Sequence, residues 1–418
     1  MYCGLDFGTS NTLCAIDHGE HGMTYIPLDG GESDIPSVAF YPIHDLQNPI
    51  YGRQALELYI NGEEGRLLRS FKRLLGTKYF GSGTMLTARF KLKFHELFRD
   101  FIQHVKSQAE DASGEELSHV VVGRPVRFSN LETAHKSGEA DLTKVAQAIG
   151  FKEVEFQYEP IAAAFAHESR LSKEQLAMVV DLGGGTSDFS IIRLGPDRKE
   201  KATREEDILA NNGIALGGTD FDSVLSVGQV MDEFGYKSKY GAKRLAVPNW
   251  PYNAASDWNR IALELYLRKT FMAMKNVISE AEAPEKLHRF LKLIEEKRAH
   301  HLLKEVESAK IELSDNEHAD IHIDFIEEGL EVSVERLRFE SDLAEKITSL
   351  KSTAQEALKL AKLAAEDIEL VILTGGASAV PVVRQAFIEL FPSAELSTDN
   401  LLGSVCEGLL YDARRKFA

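Results

Sequence analysis

The chain has 418 residues, 44% hydrophobic and 27% charged, with a formal net charge of −17. That length and balance describe a globular protein of several domains with a large buried core. The negative charge argues against loose binding to nucleic acid or to an anionic membrane surface, where every phosphate contact needs Lys or Arg working against the overall field. The three cysteines, Cys3, Cys14 and Cys406, form no CxxC and signal neither a disulfide framework nor a zinc site. The N-terminus lacks the pattern of a signal peptide, and no run approaches the roughly 18 apolar residues of a membrane helix, so a cytoplasmic location is expected.

Residues 1–17 read as strand, turn and strand, and Ile35-Pro36-Ser37 as a turn leading into a short strand. Residues 53–75 and 91–112 have helical spacing, the second through Phe94, Leu97, Phe98, Phe101, Ile102 and Val105. A buried strand is expected at 119–123, then helices at 130–149 and 160–170. Residues 177–181 form a second buried strand ending in an acid, with 189–194 as its antiparallel partner. A helix opens within 217–234, and 256–312 reads as almost wholly helical. Residues 318–334 alternate like a hairpin, with Ile321, Ile323 and Phe325 on one face. A long helix is expected at 340–364, a third buried strand at Leu370–Thr374, and a closing helix from about Asn400 to Lys416. This alternation of strands and helices argues for an α/β fold. Trp250, Tyr252 and Trp258 read either as core residues or as a partner surface, whereas His300-His301 and Glu205-Glu206-Asp207 read as solvated charge.

One internal repeat stands out. Gly4-Leu5-Asp6-Phe7-Gly8-Thr9-Ser10-Asn11 is echoed by Val180-Asp181-Leu182-Gly183-Gly184-Gly185-Thr186-Ser187-Asp188: a strand, an Asp, a glycine turn and then hydroxyl residues. Glycines let successive backbone N–H groups point into one concavity, which suits phosphate oxygens. Hydroxyls add donors, and an Asp at a strand end can hold the water shell that Mg²⁺ gives up reluctantly. The pair therefore reads as a phosphate cradle, Gly8, Thr9, Ser10 and Asn11 on one side and Gly183, Gly184, Gly185 and Thr186 on the other, with Asp6 and Asp181 facing across it. No G-x-x-x-x-G-K-[ST] occurs and no G-x-G-x-x-G follows a strand, so neither a P-loop nor a Rossmann site is supported.

These two loops, together with Leu373-Thr374-Gly375-Gly376, resemble the phosphate and adenosine loops of the actin, hexokinase and heat-shock superfamily. Five further stretches resemble the nucleotide-binding domain of DnaK-type heat-shock chaperones and fall in that family's order. They are Ile35-Pro36-Ser37, Phe71-Lys72-Arg73-Leu74-Leu75-Gly76, Glu159-Pro160-Ile161-Ala162-Ala163-Ala164, Leu216-Gly217-Gly218-Thr219-Asp220-Phe221-Asp222 and Glu307-Ser308-Ala309-Lys310-Ile311-Glu312-Leu313-Ser314. A divergent member of the bacterial YegD type fits the pattern. The resemblance implies an actin-like ATPase fold of two lobes, each on a duplicated ribonuclease-H-like mixed sheet with flanking helices. Lobe I would be 1–175 (core 1–37 and 117–175, smaller subdomain 38–116). Lobe II would be 176–418 (core 176–224 and 312–418, helical subdomain 225–311).

The same resemblance implies ATP or ADP with Mg²⁺ as ligands and slow ATP hydrolysis. Lys72, Glu159 and Asp188 would be the catalytic residues, and Asp6, Asp181 and Glu159 would hold the metal, mostly through water. Beyond the phosphate cradle, Gly217, Gly218, Glu307, Lys310, Ser314, Gly375 and Gly376 would bind the nucleotide, and a protein client or co-chaperone would be the partner. Ala162–Ala164 with Gly403 and Gly408 would let two helices cross closely at a hinge. Two departures are expected to matter. Ala379 stands where such chaperones often carry an arginine that stacks on adenine, and after the closing helix no residues remain for a peptide-binding domain. The helical region between about Ser223 and Ser314 is also longer than the family's. An actin-like filament, a nucleotide-dependent scaffold and a small-molecule kinase stay open as alternatives.

Overall fold

Residue 5 and its neighbours begin the structure with a strand buried on both sides, Tyr2–Phe7, and the first of two sheets grows around it. The computed structural model describes residues 1–17, 22–77, 79–87, 89–125, 134–168, 171–198, 201, 204–398 and 403–418. Tyr2–Phe7 runs parallel to His119–Arg124, with Leu5 opposite Val122, and antiparallel to Asn11–Asp17, with Asp6 opposite Leu13. Glu153–Tyr158 extends the sheet on the parallel side, while Met23–Tyr25 and Asp34–Pro36 both pair with Asn11–Asp17.

The second sheet repeats this plan. Gln175–Leu182 is central, parallel to Leu370–Thr374 and antiparallel to Ser187–Leu194. Glu395–Ser397 and Ile208–Ile214 lie outside them. Strand order and direction match those of the first sheet, which is the duplicated mixed sheet the repeat predicts. Leu370–Thr374 is buried along its whole length, as a parallel strand covered on both faces must be, and this is why it reads as a continuous apolar run.

Two helices cover the sheets in a crossed arrangement. Ser404–Phe417 packs on Tyr2–Phe7 and His119–Arg124, whereas Glu159–Glu168 packs on Gln175–Leu182 and Ser187–Leu194. The helices meet each other at Gly408, where a Cβ would collide with the Ala162 carbonyl oxygen. Gly4 makes the same concession below, since a Cβ there would lie 2.5 Å from the Leu410 nitrogen. Gly403 caps the start of Ser404–Phe417, and its carbonyl accepts the Tyr25 hydroxyl at 3.0 Å.

Both sheets and both helices belong to one compact unit, Met1–Gly217, Ser349–Ser378 and Val383–Ala418. It also holds a three-stranded sheet of Ile50–Tyr51, Val38–Pro42 and Gly65–Arg69 and the helix Phe94–Ser113, which buries Leu97, Phe98, Phe101, Ile102 and Val105 as its spacing predicts. The helix expected over 53–75 is shorter. It spans Gly52–Ile60 and stops at Asn61-Gly62, where Gly62 takes a left-handed φ of 86°. Strand Gly65–Arg69 and a tight turn at Phe71–Leu74 follow.

The second unit is Gly218–Thr348 with Ala379–Val382. Helix Gly218–Leu225 continues into a wider π turn at Ser226–Val230 and a tight turn at Met231–Phe234. The region expected as nearly unbroken helix, 256–312, is divided into Arg268–Ile278, Pro284–Glu295 and Ala299–Glu312, among shorter turns, with Trp250–Ala255 before it. Pro284 at a helix start and Lys297 at a left-handed φ of 55° mark two of the breaks. Hairpin His318–His322 with Glu331–Glu335 buries Ile321 and Ile323 as its alternation predicts. The helix expected at 340–364 is Arg336–Asp342 followed by Ala344–Ala361. The expected helix starts at 130 and Asn400 lie outside the described residues; the helices there are described from Ala134 and Ser404.

Of the groups read as solvated, Asp207 and His300 are buried and His301 is half-buried. Asp207 is held by the guanidinium groups of Arg204, at 2.7 Å, and Arg198. His300 is packed between aromatic rings, and His301 stacks on Phe325 at 3.8 Å with its pKa lowered by burial. Of the three aromatics near Pro251, Tyr252 and Trp258 are core residues while Trp250 is exposed.

The crossing gives a direct test. Gly408→Ala is expected to destabilise the protein by about 1–3 kcal/mol or more, because backbone cannot yield as a flexible side chain can. Gly81→Ala, where a Cβ meets open space, should stay within about 0.5 kcal/mol. Urea-unfolding midpoints of the two variants decide it, and an unshifted Gly408→Ala midpoint would refute the crossing.

Candidate functional site

Asp6 and Asp181 occupy the same place in the duplicated sheets, and each is followed by a glycine turn. In the first turn a Cβ at Gly8 would overlap the Asn11 carbonyl oxygen, so only glycine closes it. Ser37 straps this turn from outside: its Oγ donates to the Gly8 carbonyl at 2.8 Å and its N–H to the Ser10 carbonyl at 2.8 Å. Ser37 Oγ also shares a hydrogen bond with Thr12 Oγ1 at 2.9 Å. The Ile35-Pro36-Ser37 stretch is thus a support for the loop rather than part of its lining. In the second turn the Gly183 N–H donates to the Thr186 carbonyl at 3.0 Å.

The turns meet. Gly184 lies so close to Ser10 that a Cβ would overlap its hydroxyl. A Cβ at Gly217 would lie 2.6 Å from both the Gly183 oxygen and the Gly185 nitrogen, and Ser187 Oγ fixes that approach by donating to the Leu216 carbonyl at 2.6 Å. Gly375, at a left-handed φ of 79°, packs on the Leu182 carbonyl, and a Cβ there would also lie 2.9 Å from Asp181 Oδ1. Gly376 opens the short turn Gly376–Ala379 beyond it. The sequence repeat and the third glycine pair are therefore one cluster, brought together by the strand pairing of Asp181 with both Asp188 and Thr374.

Lys72 reaches this cluster from the smaller sheet's side. Ser70 takes a left-handed φ of 56°, a conformation a non-glycine residue rarely adopts, and so turns the chain into Phe71–Leu74. Phe71 anchors it, with ring centroids 5.9 Å from Phe7 and 5.3 Å from Phe98 and Phe101. Lys72 Nζ then lies 5.9 Å from the Phe7 ring centroid and donates to Glu159 Oε1 at 2.6 Å. Both partners are buried. Glu159 stands at the first turn of helix Glu159–Glu168, against Gly123, whose missing side chain leaves it room. No sequence signal marks Ser70 or the Phe7–Phe71 contact, because both act through tertiary packing.

The electrostatics follow from crowding. Burial and the Glu159 charge push the Asp6 carboxyl up to about 7, with Lys72 opposing. Burial, then Glu159, Asp188 and Asp6, push Asp181 well above the usual carboxylate range, again against Lys72. Burial works against the Lys72 ammonium, but Glu159, Asp6 and Asp181 outweigh it and raise its pKa. Asp188 is buried opposite Asp181, and Gly213 makes space for it: a Cβ there would lie 2.6 Å from Asp188 Oδ1. One lysine thus faces three carboxyl groups, Glu159, Asp6 and Asp181, with Asp188 beside Asp181, so acidic groups outnumber the one ammonium. Among the described residues no group of three or more His, Cys, Asp or Glu side chains is placed to bind a metal ion directly.

The remaining expected residues lie in the second unit. Lys310 Nζ pairs with Asp222 Oδ1 at 2.6 Å and approaches the Gly218 carbonyl at 3.5 Å. Glu307 Oε2 pairs with Lys304 Nζ at 3.3 Å. Glu307 and Lys310 share helix Ala299–Glu312, and Ser314 sits in the turn after its end. Asp222 is a partner the sequence reading missed, although it closes the Gly217-Gly218-Thr219-Asp220-Phe221-Asp222 stretch.

Comparison with known proteins defines the class. The family profile described as Hsp70 protein matches residues 2–245 and 279–401. The chain belongs to the Hsp70 family, a family of ATPases, and its fold is the actin-like ATPase fold. Two proteins named chaperone protein DnaK, from Thermosipho africanus and Thermosipho melanesiensis, are each 28% identical to it over 406 residues. The matches cover 93% of this chain and 54% of each relative, so the chain spans about half the length of the relatives it matches. Among the described residues no helix is long and apolar enough to cross a membrane.

The raised carboxyl predicts a pH dependence in metal-free protein. Asp6 has a folded pKa of about 7 against an ordinary 3.8, so between those values the folded state binds more protons than the unfolded state. Stability must then fall as pH rises through that window. Urea-unfolding midpoints in EDTA should decline from pH 5 to pH 8, and Asp6→Asn should flatten the decline. An identical pH profile in the variant would remove Asp6 as its source.

Proposed function

We propose that this chain is an ATP-binding domain that hydrolyses ATP slowly with Mg²⁺ and serves a chaperone-like or regulatory role in the cytoplasm. The observation that carries the reading is the Lys72–Glu159 pair, set among Asp6, Asp181 and Asp188 beside glycine turns that pack on one another. A cluster in which carboxyl groups outnumber the one ammonium suits a divalent cation, and Mg²⁺ gives up its waters reluctantly. Asp6, Asp181 and Glu159 would hold Mg²⁺ in that way, and the ion would supply charge neutralisation at the phosphate oxygens.

Gly8, Thr9, Ser10 and Asn11, with Gly183, Gly184, Gly185 and Thr186, would present N–H and hydroxyl donors to the phosphates. Gly217, Gly218, Gly375 and Gly376, with Glu307, Lys310 and Ser314, are assigned to the nucleoside. In hydrolysis a water oxygen forms a bond to the γ-phosphorus as the bond to the bridging oxygen breaks and ADP leaves. Glu159 and Asp188 are the groups suited to orient that water and take its proton. Lys72 would stabilise the charge spread over the transferring group. Each sheet would be the core of one proposed lobe, 1–175 and 176–418, with the Gly408–Ala162 crossing as the hinge where they turn. The relatives' name supports a protein client or co-chaperone as partner.

Lys72→Ala is expected to slow phosphate release about a hundredfold or more while the ATP dissociation constant changes only severalfold. Steady-state turnover and calorimetric binding, each with and without EDTA, check it. Equal turnover in both proteins removes Lys72 from the mechanism, and absence of ATP binding in the wild type sinks the whole reading. Light scattering of a denatured client then tests the chaperone role, which fails if aggregation is the same with and without the protein and ATP.

A further inference from the structure

The Hsp70 profile passes from residue 245 to residue 279 and leaves the stretch between them unmatched. That stretch is not a loose insertion. Tyr252, Trp258, Ile261, Leu265 and Met274 are buried within the second unit. Several of its polar contacts fall on two helices of that unit, and these are the helices that carry or hold Lys310.

The first is Gly218–Leu225 with the π turn after it. The Ser256 carbonyl accepts the Ser223 hydroxyl at 2.6 Å, and the Ser256 and Ser226 hydroxyls share a buried hydrogen bond at 2.8 Å. Trp258 Nε1 donates to Asp222 Oδ2 at 3.3 Å. Asp222 is fully buried, and its other oxygen pairs with Lys310 Nζ at 2.6 Å. The second helix is Ala299–Glu312, on which Lys310 lies. The Tyr266 hydroxyl accepts the Ala299 N–H at 3.2 Å, one of the opening donors that a helix cannot satisfy by itself. Trp258 and Tyr266 also pack on the buried His300 ring, at 5.9 and 6.3 Å between centroids.

A carboxylate has more acceptor capacity than one ammonium group fills, and its plane turns freely if only one oxygen is fixed. An indole N–H on the second oxygen fixes the plane, and a charge-assisted bond does so strongly. The ammonium on the first oxygen is then held in one place. We infer that residues 246–278 form a brace, in which Trp258 is a positioning residue that sets, through Asp222, where Lys310 presents its charge to the nucleoside. The inference rests on the reading of Lys310 as a nucleoside contact.

The test compares two probes, ATP and inorganic tripolyphosphate, which has the phosphates but no nucleoside. Trp258→Phe keeps the ring and removes only the donor. It is expected to raise the ATP dissociation constant roughly tenfold, the order expected for one bond to a buried charge, and to leave the tripolyphosphate constant unchanged. Because Trp258 acts through Lys310, the double variant with Lys310→Ala should be no worse than Lys310→Ala alone. Tyr266→Phe, which removes the acceptor at the helix start, should move ATP affinity in the same direction by less and serves if Trp258→Phe does not fold. The brace is overturned if Lys310→Ala weakens ATP and Trp258→Phe does not. It is overturned equally if Trp258→Phe weakens both probes alike, which marks general loosening. If Lys310→Ala itself leaves ATP affinity unchanged, the nucleoside role of Lys310 falls and the inference falls with it.

Discussion

A single buried ammonium group, that of Lys72, stands among Glu159, Asp6 and Asp181, with Asp188 adjoining, and much of the larger unit is arranged to deliver it. Burying a charge costs several kcal/mol unless it is paired, and removing one member of such a pair typically costs about 3–5 kcal/mol. The Lys72–Glu159 pair spans 87 positions of sequence, so both ends need independent support. Ser70 and the Phe7, Phe71, Phe98 and Phe101 cluster fix one end. Gly123 and the start of helix Glu159–Glu168 fix the other. Burial first, and then neighbouring carboxylates that one lysine cannot neutralise, raise the pKa values of Asp6 and Asp181.

Duplication gave the protein two similar sheets but not two equal half-sites. Asp6 faces Leu13 across its hairpin, whereas Asp181 faces Asp188. The first half supplies an apolar neighbour where the second supplies another acid, and like charges directly opposite are unfavourable in a bare sheet. The second half therefore carries more of the electrostatic burden. It also carries more of the close glycine contacts, with Gly184, Gly217 and Gly375 all pressed against neighbouring backbone or Ser10.

The elements legible in the sequence were those whose signal is local. Leu370–Thr374 announced itself because a strand covered on both faces is apolar throughout, and Phe94–Ser113 because its buried residues keep helical spacing. The glycine turns were legible because a strand, an acid and a tight turn recur together. What stayed hidden acts across sequence distance. The end of the helix at Asn61-Gly62 was overridden in the reading by apolar spacing that in fact belongs to strand Gly65–Arg69. Asp207 looked solvated because Arg198 and Arg204 come to it through the fold. Asp222 looked like one more acid in a motif until Trp258 and Lys310 were seen on its two oxygens. Ser37 was visible, but its work as a strap on the Gly8 turn was not.

The crossed helices also bear on how the chain is made. Helix Ser404–Phe417 covers the sheet whose central strand is Tyr2–Phe7, so residues at opposite ends of the chain share one core. That sheet keeps an apolar face open during synthesis until helix Ser404–Phe417 has left the ribosome. Helix Glu159–Glu168 likewise waits for Gln175–Leu182 and Ser187–Leu194 before its buried face is covered. Neither half of the duplication can complete its core alone, and folding is bound to be late and dominated by contacts distant in sequence. A member of a chaperone family thus has a nascent chain with long-lived exposed apolar surface, the condition under which a protein itself becomes a client.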